Sequence, residues 1–158
     1  LILVNGVAKL YGMTGFRVGW VVAPKKLVEI MTNVQSQTTT CVSPVMQAAA
    51  EGALTGMQSI VESLRLTIQN NRDVLMQELR TFADVKCQKP EGTFYMFPKS
   101  PVDDLEFCEE LRNHMVLTVP GIAFGTGNYF RIAYCHDDRT LEGAVAGMRK
   151  AAKKYGMC

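Results

Sequence analysis

Apolar positions along the chain follow two rhythms, one of strands and one of helices. Leu1-Ile2-Leu3-Val4 is an unbroken β-rich run and predicts a strand over 1–5 with neighbours on both faces. A glycine-spaced loop, Gly6 to Gly15, separates it from a second apolar stretch, Phe16 to Ala23, read as another strand. Helical spacing then takes over. Leu27, Ile30, Met31 and Val34 mark a helix from Pro24 to about Gln37, and Ser43-Pro44 resembles an N-cap with proline at the first helical position, leading into Met46 to Leu54.

The longest periodic segment runs from Gln58 to Phe82, where Ile60, Leu64, Ile68, Leu75, Leu79 and Phe82 predict one buried stripe opposite a solvated polar face. Short strands are expected at 85–88 and 93–97 around the turn Pro90-Glu91-Gly92, and Asp103 and Asp104 begin a helix to about His114. Strands at 116–119 and 129–134 flank a Gly-rich turn, Pro120 to Gly127. A last helix, capped by Asp137 or Asp138, carries Leu141, Val145, Met148, Ala152 and Tyr155 on one side. The alternation predicts an α/β (α+β) fold. Residues 58–158 read as a compact layer of helices on a small sheet, and residues 1–57 as less self-sufficient.

Composition narrows the function classes. The 158 residues are 47% hydrophobic and 20% charged, enough for a real core in a soluble domain. No run of about 18 apolar residues marks a membrane span. Seventeen basic against 15 acidic side chains leave a formal charge of +2, which excludes nucleic acid and anionic membrane as expected partners and favours a small molecule or a protein. Cys41, Cys87, Cys108, Cys135 and Cys158 are scattered without zinc spacing, so reduced thiols in a cytoplasmic protein are expected. The chain opens on a strand without an initiator Met or a signal peptide, so a piece of a larger protein is expected.

The chemistry concentrates near the start. Lys9 and Arg17 stand eight positions apart across a loop holding Gly6, Gly12 and Gly15. Glycines let backbone approach a ligand, a lysine amine can add to a carbonyl, and a guanidinium can hold a phosphate through two parallel hydrogen bonds. That set suits a phosphorylated carbonyl compound.

The same residues carry a resemblance. Lys9, Tyr11, Met13, Thr14, Gly15, Phe16, Arg17, Val18 and Gly19 match in register the lysine motif of the class I/II pyridoxal-phosphate (PLP) aminotransferases, the fold type I family that includes aspartate aminotransferase. The likeness continues through Thr38-Thr39-Thr40-Cys41 with Gln47, through Pro90-Glu91-Gly92-Thr93-Phe94-Tyr95, and through Val119-Pro120-Gly121-Ile122-Ala123-Phe124-Gly125 with Tyr129-Phe130-Arg131-Ile132-Ala133. It implies that Lys9 bonds the cofactor PLP and shuttles the proton, that Arg17 grips its phosphate, and that Arg131 binds the substrate α-carboxylate bidentately. It further implies the C-terminal portion of such an enzyme: residues 1–57 as the end of the large PLP-binding domain and 58–158 as the small domain, in a homodimer acting on amino acids and 2-oxo acids.

Two departures stand out. Ala8 replaces a serine that the family often places beside the lysine, a loss on the order of 1–2 kcal/mol of phosphate binding. The family's partners for the pyridine ring lie upstream of the lysine and are absent here, which implies an inactive isolated piece. Aspartate is the default amino donor. A carbon–sulfur lyase or an aromatic, alanine or kynurenine aminotransferase shares these motifs, and a stand-alone, non-catalytic interaction module is the reading from a different class.

Elsewhere the residues read plainly. His114 and His136 lack acidic or cysteine partners at ligand spacing, so no metal site is expected. Gly121, Gly125 and Gly127 do not form a dinucleotide fingerprint. The nine methionines fill core, and the basic run at 149–154 complements a helix C-terminus.

Overall fold

The computed structural model describes residues 1–83 and 85–157. They form two compact units, Leu1–Ser63 and Leu64–Cys158. Among the described residues, no helix is long and apolar enough to cross a membrane.

In the first unit, β1 (Leu3–Gly6) pairs antiparallel with β2 (Gly19–Val22), Leu3 opposite Val22 and Gly6 opposite Gly19. The expected strand from Phe16 begins only at Gly19, because Thr14–Phe16 coil into a 3-10 turn and Arg17 turns left-handed behind them. Two helices follow, α1 (Lys25–Thr38) and α2 (Pro44–Thr55). Pro44 opens α2 as expected, while the Ser43 side chain makes no capping bond. Val7 is completely buried, yet Leu3, Val4, Val22, Ile30 and Val34 are exposed. The apolar run at the start of the chain, expected to have neighbours on both faces, therefore stays largely exposed within this unit. Val4, Val21, Val28, Met31 and Leu54 line an open cleft of about 1060 Å³ between hairpin and helices.

The second unit holds the main core. Helix α3 (Ser59–Leu79) buries Leu75, Met76 and Leu79, and Phe82 just beyond it. The predicted stripe holds only in this half: Ile60 is 73% and Leu64 42% exposed. At the edge of the same stripe, Glu78 is buried and accepts from Arg149 Nε and Nη2 at 2.5 and 2.6 Å.

Strands β3 (Tyr95–Met96), β4 (Val119–Pro120) and β5 (Phe130–Ala133) form an antiparallel sheet in the order β3-β5-β4. The strand expected at 85–88 does not form. Two-residue β3 offers it too little edge, and a single bond from Lys99 N–H to the Lys86 carbonyl, 2.8 Å, ties it alongside. Helices α4 (Asp104–Asn113) and α5 (Asp138–Lys154) complete the unit, with Asp103 and Asp137 accepting from the first-turn amides. Alternation along β5 turns Phe130 and Ile132 into the core with Met96, Phe107, Leu111 and Met148.

Buried Asn71 of α3 donates its amide to the carbonyls of Tyr134 (3.0 Å) and His136 (2.8 Å), which fastens the end of β5 to the helix. Cys41, Cys87, Cys108 and Cys135 are free thiols; Cys158 lies outside the described residues. Burial pushes the Cys87 and Cys108 thiols up, so both stay neutral and behave as small apolar groups.

Candidate functional site

Lys9 and Arg17 lie on one loop, residues 7–18, which closes the β1–β2 hairpin. Buried Val7 anchors it, its N–H reaching the Val18 carbonyl at 3.3 Å. The chain turns at Lys9, whose carbonyl accepts from Gly12 N–H at 3.2 Å, and Gly12 adopts the positive φ (63°) that the turn requires. Both cationic side chains are exposed. Arg17 sits at φ 55° and ψ 42°, a conformation that costs a non-glycine residue on the order of 1–2 kcal/mol. Its Nη1 donates to the Thr14 carbonyl at 2.8 Å. Glycine would relieve that strain.

A second tie comes from Tyr11, whose hydroxyl donates to Gln58 Oε1 at 3.0 Å. The Gln58 amide in turn donates to the carbonyls of Ala53 and Gly56 at 3.0 and 2.8 Å. The lysine loop is therefore fastened to the residues that end α2. Gln58 carries no motif in the sequence, and only the fold brings it to Tyr11. The apolar cleft of this unit does not include Lys9 or Arg17.

Arg131 belongs to the second unit, at the middle of β5. Its register partners are Val119 on β4 and, by extension of the β3 pairing, Phe97. Because Phe130 and Ile132 point into the core, Arg131 faces the other way, with Tyr95 and Phe97. Its guanidinium carbon lies 4.4 Å from the Tyr95 ring centre and 4.6 Å from that of Phe124. The cation is thus held between two rings. Among the described residues no carboxylate pairs with it, which leaves its N–H donors uncommitted to an ion pair within the chain.

Each ring is itself positioned. Tyr95 follows a turn in which Thr93 is left-handed (φ 64°) and its carbonyl accepts the Tyr134 hydroxyl at 2.9 Å. Phe124 sits in the 3-10 turn Gly121–Phe124 and packs edge-on to Phe97, at 5.9 Å between centres. Gly121 has no room for a side chain: a Cβ there would lie 2.2 Å from the Thr126 carbonyl oxygen and 2.8 Å from that of Tyr129. Tyr95 and Phe124 stand inside segments the sequence marks out, but their stacking on Arg131 depends on strand register and loop path, which no local pattern specifies.

Among the described residues, four carboxylates in this unit titrate low, including Glu110, lowered chiefly by its hydrogen bond from Lys154. Backbone N–H bonds, that of Ile122 foremost, lower Asp104; the Thr140 amide lowers Asp137; and Arg72, then Lys89, bring Asp73 to about 2. A carboxylate whose folded pKa lies below its unfolded value stabilises the fold above the unfolded value, and that contribution disappears as pH falls through the folded one. The urea midpoint of the chain is therefore expected to hold from neutral pH down to about pH 5, then to drop steadily between about pH 4 and pH 2. Stability that rises on acidification through that window would contradict the assignment.

Comparison with known proteins places these features in a family. Residues 1–148 match the model of aminotransferase class I and II. The chain is 36% identical to a protein of Rhizobium meliloti named aspartate aminotransferase, covering 96% of this chain and 40% of that one. It is 38% identical to a probable aspartate/prephenate aminotransferase of Rickettsia prowazekii, over 94% of this chain and 41% of the relative. Among solved structures, the aromatic aminotransferase from Pyrococcus horikoshii superposes with a TM-score of 0.91 at 33% identity, covering 98% of this chain and 43% of that one. The chain spans about two fifths of the length of the curated relatives it matches.

Proposed function

The chain belongs to the class I and II aminotransferases, and from that premise we propose that it supplies the cofactor lysine and the substrate-carboxylate arginine of an enzyme that moves an amino group between an L-amino acid and a 2-oxo acid. Its fold is that of the fold type I enzymes, and the family implies PLP as cofactor. When bound, PLP supplies an electron sink for the bonds at the substrate's α-carbon.

The donor set fits that group. Lys9 offers an exposed amine for an aldehyde, and Arg17 retains donors beyond the one given to Thr14, suited to a phosphate. Lys9 is the residue that would bond the cofactor's aldehyde and, with that bond exchanged for the substrate's, would hold and move the α-proton. Arg131 receives the substrate carboxylate through two parallel N–H bonds, which fixes the α-carbon for that transfer. The observation that carries the reading is the guanidinium held between Tyr95 and Phe124 without a protein carboxylate.

Aspartate, the donor named for two of the relatives above, is the preferred amino acid. Residues 1–57 serve as the end of the cofactor domain and 58–158 as the small domain. The exposed apolar surface of the first unit supports a larger assembly, a homodimer in the working enzyme. The free thiols support a reducing, cytoplasmic setting. The experiment supplies the chain with PLP and with the part of a relative that it does not span, and follows transfer from L-aspartate to 2-oxoglutarate. Activity that requires both pieces supports the proposal. Two pieces that associate and bind PLP without transfer would favour the non-catalytic module.

A further inference from the structure

We propose that Asp104 is a positioning residue for the carboxylate site: it clamps the loop that lays Phe124 on Arg131. The inference rests on the reading of Arg131 as a carboxylate receptor. Asp104 is not needed to cap its helix, because Asp103 already accepts from the amides of Leu105 and Glu106. It is only 3% exposed, and among the described residues no basic group faces it. Its two oxygens accept backbone amides instead, Ile122 N–H at 2.8 Å and Asn128 N–H at 3.2 Å.

Those two amides belong to opposite limbs of one loop. Between them the chain closes on itself: Thr126 N–H reaches the Gly121 carbonyl at 3.1 Å, and Gly121 N–H reaches that of Tyr129 at 2.7 Å. The loop is a preformed ring whose Phe124 rests on Arg131, and the Asp104 carboxylate fastens both limbs to α4. Without that carboxylate the ring keeps its internal bonds but loses its bearing. Phe124 leaves the guanidinium, and Arg131 must then be ordered afresh by each substrate that binds.

The test compares the chain with Asp104→Asn, Phe124→Leu, both together, and Glu78→Gln, a control that weakens the same unit at the ion pair between α3 and α5. Two readouts are taken: the NMR resonance of the Arg131 Nε–H group without ligand, and its titration with 2-oxoglutarate. Asp104→Asn is expected to shift the resonance as Phe124→Leu does and to weaken binding about tenfold, with no further loss in the double variant. Glu78→Gln is expected to lower the urea midpoint while leaving both readouts unchanged. Ile122→Pro, which deletes one donor from the exposed side of the loop, is expected to act in the same direction as Asp104→Asn and carries the test if Asp104→Asn does not fold. A wild-type resonance and affinity in Asp104→Asn or Ile122→Pro, or losses additive with Phe124→Leu, would overturn the role. A wild-type chain whose Arg131 ignores 2-oxoglutarate would overturn the carboxylate reading, while the ligand-free resonance still decides whether Asp104 sets the loop.

Discussion

Lys9→Ala is expected to reduce transamination by the reconstituted enzyme by at least about 10⁴-fold, the largest effect of any single change in the chain. In the proposed reaction the amine has two tasks, bonding the cofactor aldehyde and carrying the α-proton, and alanine can do neither. Lys9→Arg should be nearly as inactive, because a guanidinium is neither a nucleophile nor a base near neutral pH. Lys25→Ala and Lys26→Ala, at exposed positions opening α1, serve as controls and should leave the rate unchanged. Steady-state assays at saturating PLP make the comparison. A Lys9→Ala enzyme within tenfold of wild type would rule out this lysine as the working group.

The second large effect is at Arg131. Arg131→Lys keeps the charge but replaces a planar fork with a point charge that cannot lie flat between the Tyr95 and Phe124 rings. KM for both amino acid and 2-oxo acid is expected to rise about 10- to 100-fold, with a smaller fall in kcat, since the interaction lost is chiefly one of binding. Replacing Tyr95 by leucine should move KM in the same direction but less, because the fork remains. An unchanged KM in Arg131→Lys would place the carboxylate elsewhere.

Much of this arrangement is legible in the chain before folding is considered. The lysine loop announces itself because Lys9, the glycines and Arg17 are close in sequence, and the helices α1, α2, α4 and α5 follow from apolar spacing and their opening residues. What escapes sequence reasoning is what depends on distant contacts. The stripe of α3 is uniform in sequence, yet Ile60 and Leu64 are exposed while Leu75 and Leu79 are buried, since only the C-terminal half meets the sheet. Residues 85–88 have the composition of a strand but lack an edge long enough to pair with. Two adjacent aspartates read as a generous helix cap, and only the folded loop separates Asp103, which caps, from Asp104, which reaches 18 and 24 residues along the chain. Tyr11 and Gln58 meet across 47 residues for the same reason.

The proposal that the loop around Lys9 and Arg17 receives a phosphorylated aldehyde can be tested on this chain without the rest of an enzyme. The chain is incubated with PLP near neutral pH, reduced with borohydride, digested and mapped by mass spectrometry to locate the lysine that has gained the pyridoxyl group. Label is expected at Lys9 well above Lys25, Lys26, Lys150 and Lys153, diminished by Arg17→Gln and by competing inorganic phosphate. Label spread evenly over the exposed lysines, indifferent to Arg17 and to phosphate, would contradict it.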